Sequence, residues 1–416
     1  MPGCSRLPPA WKRRLAATEP ARRRTGQVIF ALGTTQTLAW ASSYYLPAIL
    51  AEPMAQGTGT TPTMVFAAVS ASLLIAAMSG PAIGRAIDAR GGRGVLVASN
   101  LVFIAGLGAL ALARGPVALF AAWAVLGVGM SLGLYDSAFA TLAGLYGNAA
   151  RGPITGITLF AGFASTIGWP LSAVLAAHFG WRGACLAWAG LHTVLGLPLN
   201  IFLVPRAPPP APRPEDGEPR DQRREMVLLA YVFASAWFVT GAMATHLPQV
   251  LQMAGAGRAA AIGAAALVGP AQVMARIVEF LFLRRTHPLI PARIATALHP
   301  LGVALLALWG APLAVAFSLL YGAGNGILTI ARGTLPLAIF GPHGYGARTG
   351  WLGAPARAAQ ALAPLLFGLI LDRLGLYALL VSAGLCLSAL AALFMLRPAA
   401  PRDGTAVPGR AASSPR

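Results

Sequence analysis

Asp136 and Arg332 are the residues whose types and positions most invite chemistry. Asp136 stands 19 residues past Val117 in one apolar run, and Arg332 stands 20 residues past Pro312 in another. An ionisable group in such a run is costly to bury, so each is a functional candidate. Asp136 can titrate, and Arg332 can hold an anion with its planar fork of donors. The pair has two principal readings: binding of a charged solute or a proton, or an ion pair that closes a gate between two parts of the molecule. Pairing of each residue with neighbours in its own half is a third. Tyr321, Asn325 and Thr329 precede Arg332 at steps of four, four and three. That spacing keeps all four within about 80° of one helical face. Gln36, Trp40 and Tyr44 repeat at steps of four. Polar stripes of this kind line a cavity or hydrogen-bond one helix to its neighbour. The stripe ending in Arg332 favours the cavity, and the Gln36 stripe leaves both readings open. His246, and Gln360 with Arg357, are further candidates. A lone histidine in an apolar run reads first as a hydrogen-bonded packing residue, and Arg357 can instead snorkel to an interface.

Enzyme signatures are missing: there is no GxSxG, HExxH or P-loop. Cys4, Cys185 and Cys386 are scattered, without the spacing of a disulfide framework or a metal cluster. No metal and no cofactor are expected. Without a P-loop the chain does not use ATP by the usual route, so any transport runs on a gradient.

The elements that must position these residues are apolar and long. Of the 416 residues, 56% are hydrophobic and only 10% charged, against about 25% charged in a soluble domain. Mean hydropathy is +0.67. Twelve runs, near 28–50, 64–83, 94–112, 117–140, 154–177, 183–204, 227–250, 259–283, 291–309, 312–338, 350–371 and 376–396, can each cross a bilayer, since about 20 residues span its hydrocarbon. The net charge of +19 raises nucleic acid as a partner, but the placement of the charges argues against it. With the N-terminus inside, four of the 31 basic residues lie outside (Arg114, Arg182, Arg258, Arg373), three lie within spans (Arg276, Arg332, Arg357), and the other 24 lie on the cytoplasmic side. This positive-inside bias places both termini in the cytoplasm. Lys12-Arg13-Arg14 and Arg22-Arg23-Arg24 suit contact with anionic lipid head groups. The first 27 residues are basic, and the apolar run behind them is too long for a cleaved signal peptide.

Residues 205–225 are rich in proline and charge and read as a solvated linker. The division is a basic tail 1–27, a six-span half 28–204, the linker, a second six-span half 226–396, and a tail 397–416. The halves echo each other in order. Tyr45-Leu46-Pro47 matches His246-Leu247-Pro248, Gly80-Pro81-Ala82 matches Gly269-Pro270-Ala271, and Gly127-Val128-Gly129 matches Gly322-Ala323-Gly324. Arg85-Ala86-Ile87-Asp88 returns as Arg276-Ile277-Val278-Glu279, closing the second span of each half. Two related halves in the same orientation are the pattern of a secondary transporter with parallel repeats.

With Gly84, Asp88, Gly91 and Arg93 between spans 2 and 3, and Gly168-Trp169-Pro170 followed by Phe179-Gly180-Trp181-Arg182, the chain resembles the major facilitator superfamily over roughly 28–396. Ala89 and Gly92 stand where that family usually has basic residues, and Trp123 stands where it often has an arginine. The resemblance implies an all-α membrane protein, twelve transmembrane helices in two pseudo-symmetric six-helix halves, with spans 1, 4, 7 and 10 around a central cavity. It implies that Gly84, Arg85, Asp88, Gly91 and Arg93, with Arg276 and Glu279 in the second half, form a conformational latch. The expected function is secondary active transport of a small polar or anionic solute by alternating access, with protons as the coupling candidate. The alternative is efflux of a toxic organic or inorganic compound through an aromatic cavity of Trp40, Tyr44 and Trp237. A transporter-like receptor and a channel are weaker rivals, since neither an output domain nor a ring of filter residues appears. The expected setting is a bacterial inner membrane, with the protein as a monomer.

Overall fold

Backbone groups within a bilayer must satisfy one another inside the segment, so apolar runs of this length become helices. The computed structural model describes residues 9–206, 222–283 and 285–396, with side chains from residue 24 onward. Most of the expected linker and tail 397–416, the side chains of Lys12 to Arg23, and Arg284 lie outside the described residues.

The described residues form twelve crossings in two halves. Crossing 1 is α1 (Pro9–Ser42) with α2 (Pro47–Thr58), crossing 2 is α3 (Pro62–Arg90), and crossing 3 is α4 (Gly92–Leu112). Crossing 4 is α5 (Pro116–Gly133) with α6 (Tyr135–Tyr146). Crossing 5 is α7 (Arg151–Ala161) with the first part of α8 (Ala164–Leu191). Gly180, at φ 69°, turns α8 back into crossing 6, a left-handed conformation that suits glycine. The second half holds α9 (Arg223–Met253), α10 (Arg258–Ala266) with α11 (Val268–Val278), α12 (Leu289–Trp309), α13 (Ala314–Phe340), α14 (Tyr345–Leu374) and α15 (Ala378–Met395). Proline opens α2, α3 and α5, where its missing N–H has no intrahelical partner to lose. α1 starts well before the apolar run near residue 28, so the helix extends back into the expected tail.

The glycine echoes acquire a physical meaning as paired contacts. A Cβ on Gly127 of α5 would meet the Ser72 carbonyl of α3 at 2.5 Å, and one on Gly322 of α13 would meet the Val268 carbonyl of α11 at 2.7 Å. The fourth crossing of each half thus presses on the second in the same way. Such small-residue contacts are how helices close on one another when lipid removes the hydrophobic drive between them. Each half also buries a histidine between its third and sixth crossings. His192 lies 2.8 Å from Asn100 and 2.8 Å from Ser42, and His299 lies 3.0 Å from Ser382. Each half has its own packed core, with Trp123, Trp188 and Phe103 fully buried in the first and Phe233, Phe317 and Phe367 in the second.

Candidate functional site

Crossing 4 is not one continuous helix. At Leu134 the backbone leaves helical geometry (φ −81°, ψ −174°), and α6 begins again at Tyr135. The break frees carbonyls that an intact helix would use, and side chains fill the vacancies. Ser137 donates its hydroxyl to Ser131 O at 2.8 Å, and Gln36 of α1 donates its amide to Gly133 O at 2.5 Å. Asp136 therefore sits in the first turn of α6, where the helix dipole favours a carboxylate.

Two arginines from the other half converge on that carboxylate. Arg332 of α13 places Nη2 2.7 Å from Asp136 Oδ2, and Arg357 of α14 places Nη2 2.5 Å from the same oxygen. All three are buried, at 8%, 6% and 5% exposure for Asp136, Arg332 and Arg357. Neighbouring groups hold both guanidinium groups in place. Arg357 donates Nη1 to Ala76 O of α3 at 3.0 Å, and Arg332 lies over the Trp237 ring at 4.6 Å, a cation–π distance. Gly353 leaves the space that the cluster fills: a Cβ there would lie 2.9 Å from Asp136 Oδ2 and 3.0 Å from Arg332 Nη2. Two cations against one carboxylate leave a net charge of +1 in a buried site.

This cluster borders a narrow central cavity whose other walls include Trp40, Tyr44, Leu73, Leu134, Tyr135, Trp237 and Gln360. Gln360 donates to the Tyr44 hydroxyl at 3.0 Å, a bond between the halves one turn along α14 from Arg357. A second, smaller cleft shares Asp136 and Arg357 with the first and continues along the α3–α14 seam past Ser131, Ser137 and Thr349. The two charged residues stand in the wall common to both.

Of the residues expected from sequence, Asp136, Arg332, Trp40 and Tyr44 line the central cavity, with Arg357, Gln360 and Trp237. The other residues of the Arg332 stripe bond to α9 or within α13 itself. The Asn325 amide oxygen accepts from the Thr240 hydroxyl of α9 at 3.0 Å, Tyr321 reaches Thr240 O at 3.5 Å, and Thr329 donates to Asn325 O at 2.9 Å. Gln36 supports the break in crossing 4. His246 lies 2.8 Å from Pro364 O and ties α9 to α14.

The residues of the repeated motif divide. Asp88 crosses to the other half, where its carboxylate accepts from Gly346 N and Ala347 N at 2.8 Å each, capping the start of α14. A Cβ on Gly84 would clash with the Gly346 carbonyl, so the helices touch backbone to backbone there. Gly91 turns α3 into α4 at φ 79°, while Arg85 is exposed and Arg93 half-buried. In the second copy Glu279 pairs with Arg151 of α7 at 3.5 Å. Arg276, unlike Arg85, is buried, and donates to Thr158 O of α7 at 2.9 Å and to Gly326 O at 3.3 Å. Arg151, Gly353 and Tyr135 carry no sequence signal for their positions. The α3–α14 seam did have one: Gly80 with Gly84, and Gly346 with Gly350, are spaced four apart, the pattern of close helix contact.

Residues 32–347 match the Major Facilitator Superfamily. No curated protein matches the chain. Among solved structures, the human organic anion transporter MFSD10 (TETRAN) is similar at a TM-score of 0.70 and 18% identity, covering 89% of this chain and 99% of that one. The proton:xylose symporter XylE, bound to 6-bromo-6-deoxy-D-glucose, is similar at a TM-score of 0.70 and 14% identity, covering 90% and 97%. Identities this low speak for the fold alone. The twelve crossings in two halves and the family match over most of the chain agree: this integral membrane protein belongs to the Major Facilitator Superfamily, and it is a transporter rather than an enzyme.

Proposed function

We propose that the protein is a secondary active transporter that carries a small anionic solute by alternating access around the Asp136–Arg332–Arg357 site. One observation carries this reading: two buried arginines share a single carboxylate, which leaves one positive charge unmatched at the wall of the central cavity. A buried unmatched charge is expensive, and an anion entering the cavity offsets it. The cluster also joins the halves, so the solute site and the inter-half contact are the same groups. Solute binding and the rocking of the halves are coupled through them.

The proposed setting is a bacterial inner membrane with both termini in the cytoplasm, an orientation that the positive-inside distribution supports. On that assignment Asp88, Glu279 and their partners hold the cytoplasmic side shut, and the state is closed to the cytoplasm. A proton gradient is the proposed drive, with Asp136 as the titrating group. A second reading, efflux of an aromatic toxic compound, draws support from Trp40, Tyr44 and Trp237 around the cavity. Flux into proteoliposomes, with a panel of anionic, neutral and cationic solutes and with or without a proton gradient, separates the readings. Uptake of anions that vanishes in Arg332→Gln supports the first. Arginine-independent movement of neutral aromatic compounds overturns it.

A further inference from the structure

A histidine joins the third crossing to the sixth in each half, but only the first half carries the bond on to a third helix. His192 Nε2 lies 2.8 Å from the hydroxyl of Ser42, the last residue of α1, and its Nδ1 lies 2.8 Å from Asn100 Oδ1. All three residues are buried. Crossing 6 is shaped around them. It widens into a π-turn over His192–Gly196, and a Cβ on Gly196 would overlap Asn100 Oδ1. The Phe103 ring stacks on the imidazole at 4.8 Å.

Ser42 stands where the regular helix of crossing 1 stops. Past it, Tyr45 N donates five residues back to Trp40 O at 3.0 Å, and Leu46 N donates three back to Ser43 O at 3.3 Å, before α2 begins at Pro47. The echo in the second half behaves differently. His246-Leu247-Pro248 repeats Tyr45-Leu46-Pro47, yet α9 runs through Pro248 without interruption. Proline removes the same backbone donor in both places, so proline alone does not make the break. Three residues before Tyr45 is Ser42; three before His246 is Met243, which has no hydroxyl. The histidine of the second half, His299, bonds Ser382 of crossing 12, and its Nδ1 is buried without a partner.

We propose that His192 is a positioning residue, which in one fixed tautomer holds crossing 1 in its broken form and so places Tyr44 between the halves. Tyr44 lies two residues past Ser42, and its hydroxyl accepts from Gln360 of α14 at 3.0 Å. Rocking of the halves must break and remake that contact. This role is independent of which solute is carried.

The partners fix where the ring proton sits. Asn100 Nδ2 donates to Leu96 O at 2.9 Å, so Oδ1 is the atom turned to His192, and it can only accept. Nδ1 therefore carries the proton, and Nε2 is the bare nitrogen that accepts from Ser42. The other acceptor within reach of Ser42, Ala39 O, is at 3.5 Å. His299 is the reverse. Ser382 gives its proton to Leu379 O at 2.9 Å, so His299 Nε2 donates to Ser382 and Nδ1 is bare.

Nitrogen NMR of the purified full-length protein with isotope-labelled histidine reads both tautomers and needs no variant. The expected result is a proton on Nδ1 alone in His192 and on Nε2 alone in His299. A proton on Nε2 of His192 overturns the proposal. Leu46→Cys and Leu247→Cys then report on the two echoed positions, which are both buried, with Cys4→Ser as background and Cys185 and Cys386 buried. Ser42→Ala should speed maleimide labelling of Leu46→Cys about tenfold, the factor for one buried hydrogen bond. Ser42→Thr keeps the hydroxyl and should restore the slow rate. Ser382→Ala removes a comparable buried histidine bond from the second half and should leave labelling of Leu247→Cys unchanged. Unchanged labelling of Leu46→Cys in Ser42→Ala, or equal acceleration in both halves, overturns the positioning role.

Discussion

The two seams that join the halves occupy equivalent places and are built differently. Between α3 and α14 the contact is backbone on backbone. Gly84 lies on Gly346, Gly80 lies on Gly350, and Asp88 caps two amides at the start of α14. Between α7 and α11 the contact is made by long side chains. Arg151 reaches Glu279 at 3.5 Å and also donates to Thr286 O and Leu283 O, while Arg276 donates to Thr158 O. One Glu279 oxygen, Oε2, is buried without a hydrogen-bond partner. The repeat conserves where the halves meet and lets the chemistry of the meeting diverge. The first seam depends on close approach and tolerates little. The second depends on flexible groups that can re-form in more than one arrangement.

The sharpest way to break this comparison is steric. Gly84→Val puts a branched side chain where even a Cβ clashes with the Gly346 carbonyl, and should cost roughly 1–3 kcal/mol through forced separation of α3 and α14. A lowered unfolding midpoint in detergent and faster labelling of a cysteine placed at Thr349 measure it. Gly269→Val, at the second-half counterpart of Gly80, should do far less, because nothing lies within 4 Å of a Cβ there. Asp88→Asn keeps the shape and removes the charge from two charge-assisted bonds, for a loss of about 1–2 kcal/mol and the same increase in labelling at Thr349. Glu279→Gln should cost less, about 1 kcal/mol or below, since the ion pair is long and Arg151 is partly exposed. If Glu279→Gln opens the molecule more than Asp88→Asn does, the ranking of the seams is reversed.

The smallest effect is expected at His287, in the loop beside the second seam. Burial, with Arg151 and Arg293 nearby, holds its imidazole below the ordinary histidine range, and its Nδ1 accepts from Leu289 N at 3.3 Å. The folded protein therefore keeps it neutral while the unfolded chain takes up a proton, so stability falls as pH drops below the ordinary histidine value. His287→Gln should remove that acid-side loss, an effect of about a few tenths of a kcal/mol after solvent screening. Comparing unfolding midpoints at neutral and mildly acidic pH checks the sign.

Much of the architecture is readable in the chain because lipid makes the rules strict. A charge in an apolar run has to be accounted for, which singled out Asp136 and Arg332 at matching depths. Their contact across the halves is one of three readings that the residues leave open, and it rests on the resemblance that puts spans 4 and 10 around one cavity. Arg357 was harder, because its position near the start of crossing 11 fits snorkelling as well as pairing, and only the neighbour across the seam decides between them. The stripe Tyr321, Asn325 and Thr329 shows the limit of periodicity. It fixes that the residues share a side of α13, but whether that side meets a cavity or Thr240 of α9 depends on helix rotation within the bundle. The break at Leu134 has no local signal beyond Gly133, since what stabilises it, Gln36, is 97 residues away.

The central claim is that the unmatched charge beside Asp136 makes this cavity a site for anions. Counterflow of a radiolabelled carboxylate in proteoliposomes, with wild type, Arg332→Gln and Arg357→Gln at equal reconstitution, tests it most directly. The account predicts saturable wild-type exchange that falls at least about a hundredfold in each variant, the loss expected when a charged partner of a buried ligand is removed. Both variants should still extract as folded monodisperse protein. Exchange that continues undiminished without either arginine would contradict it.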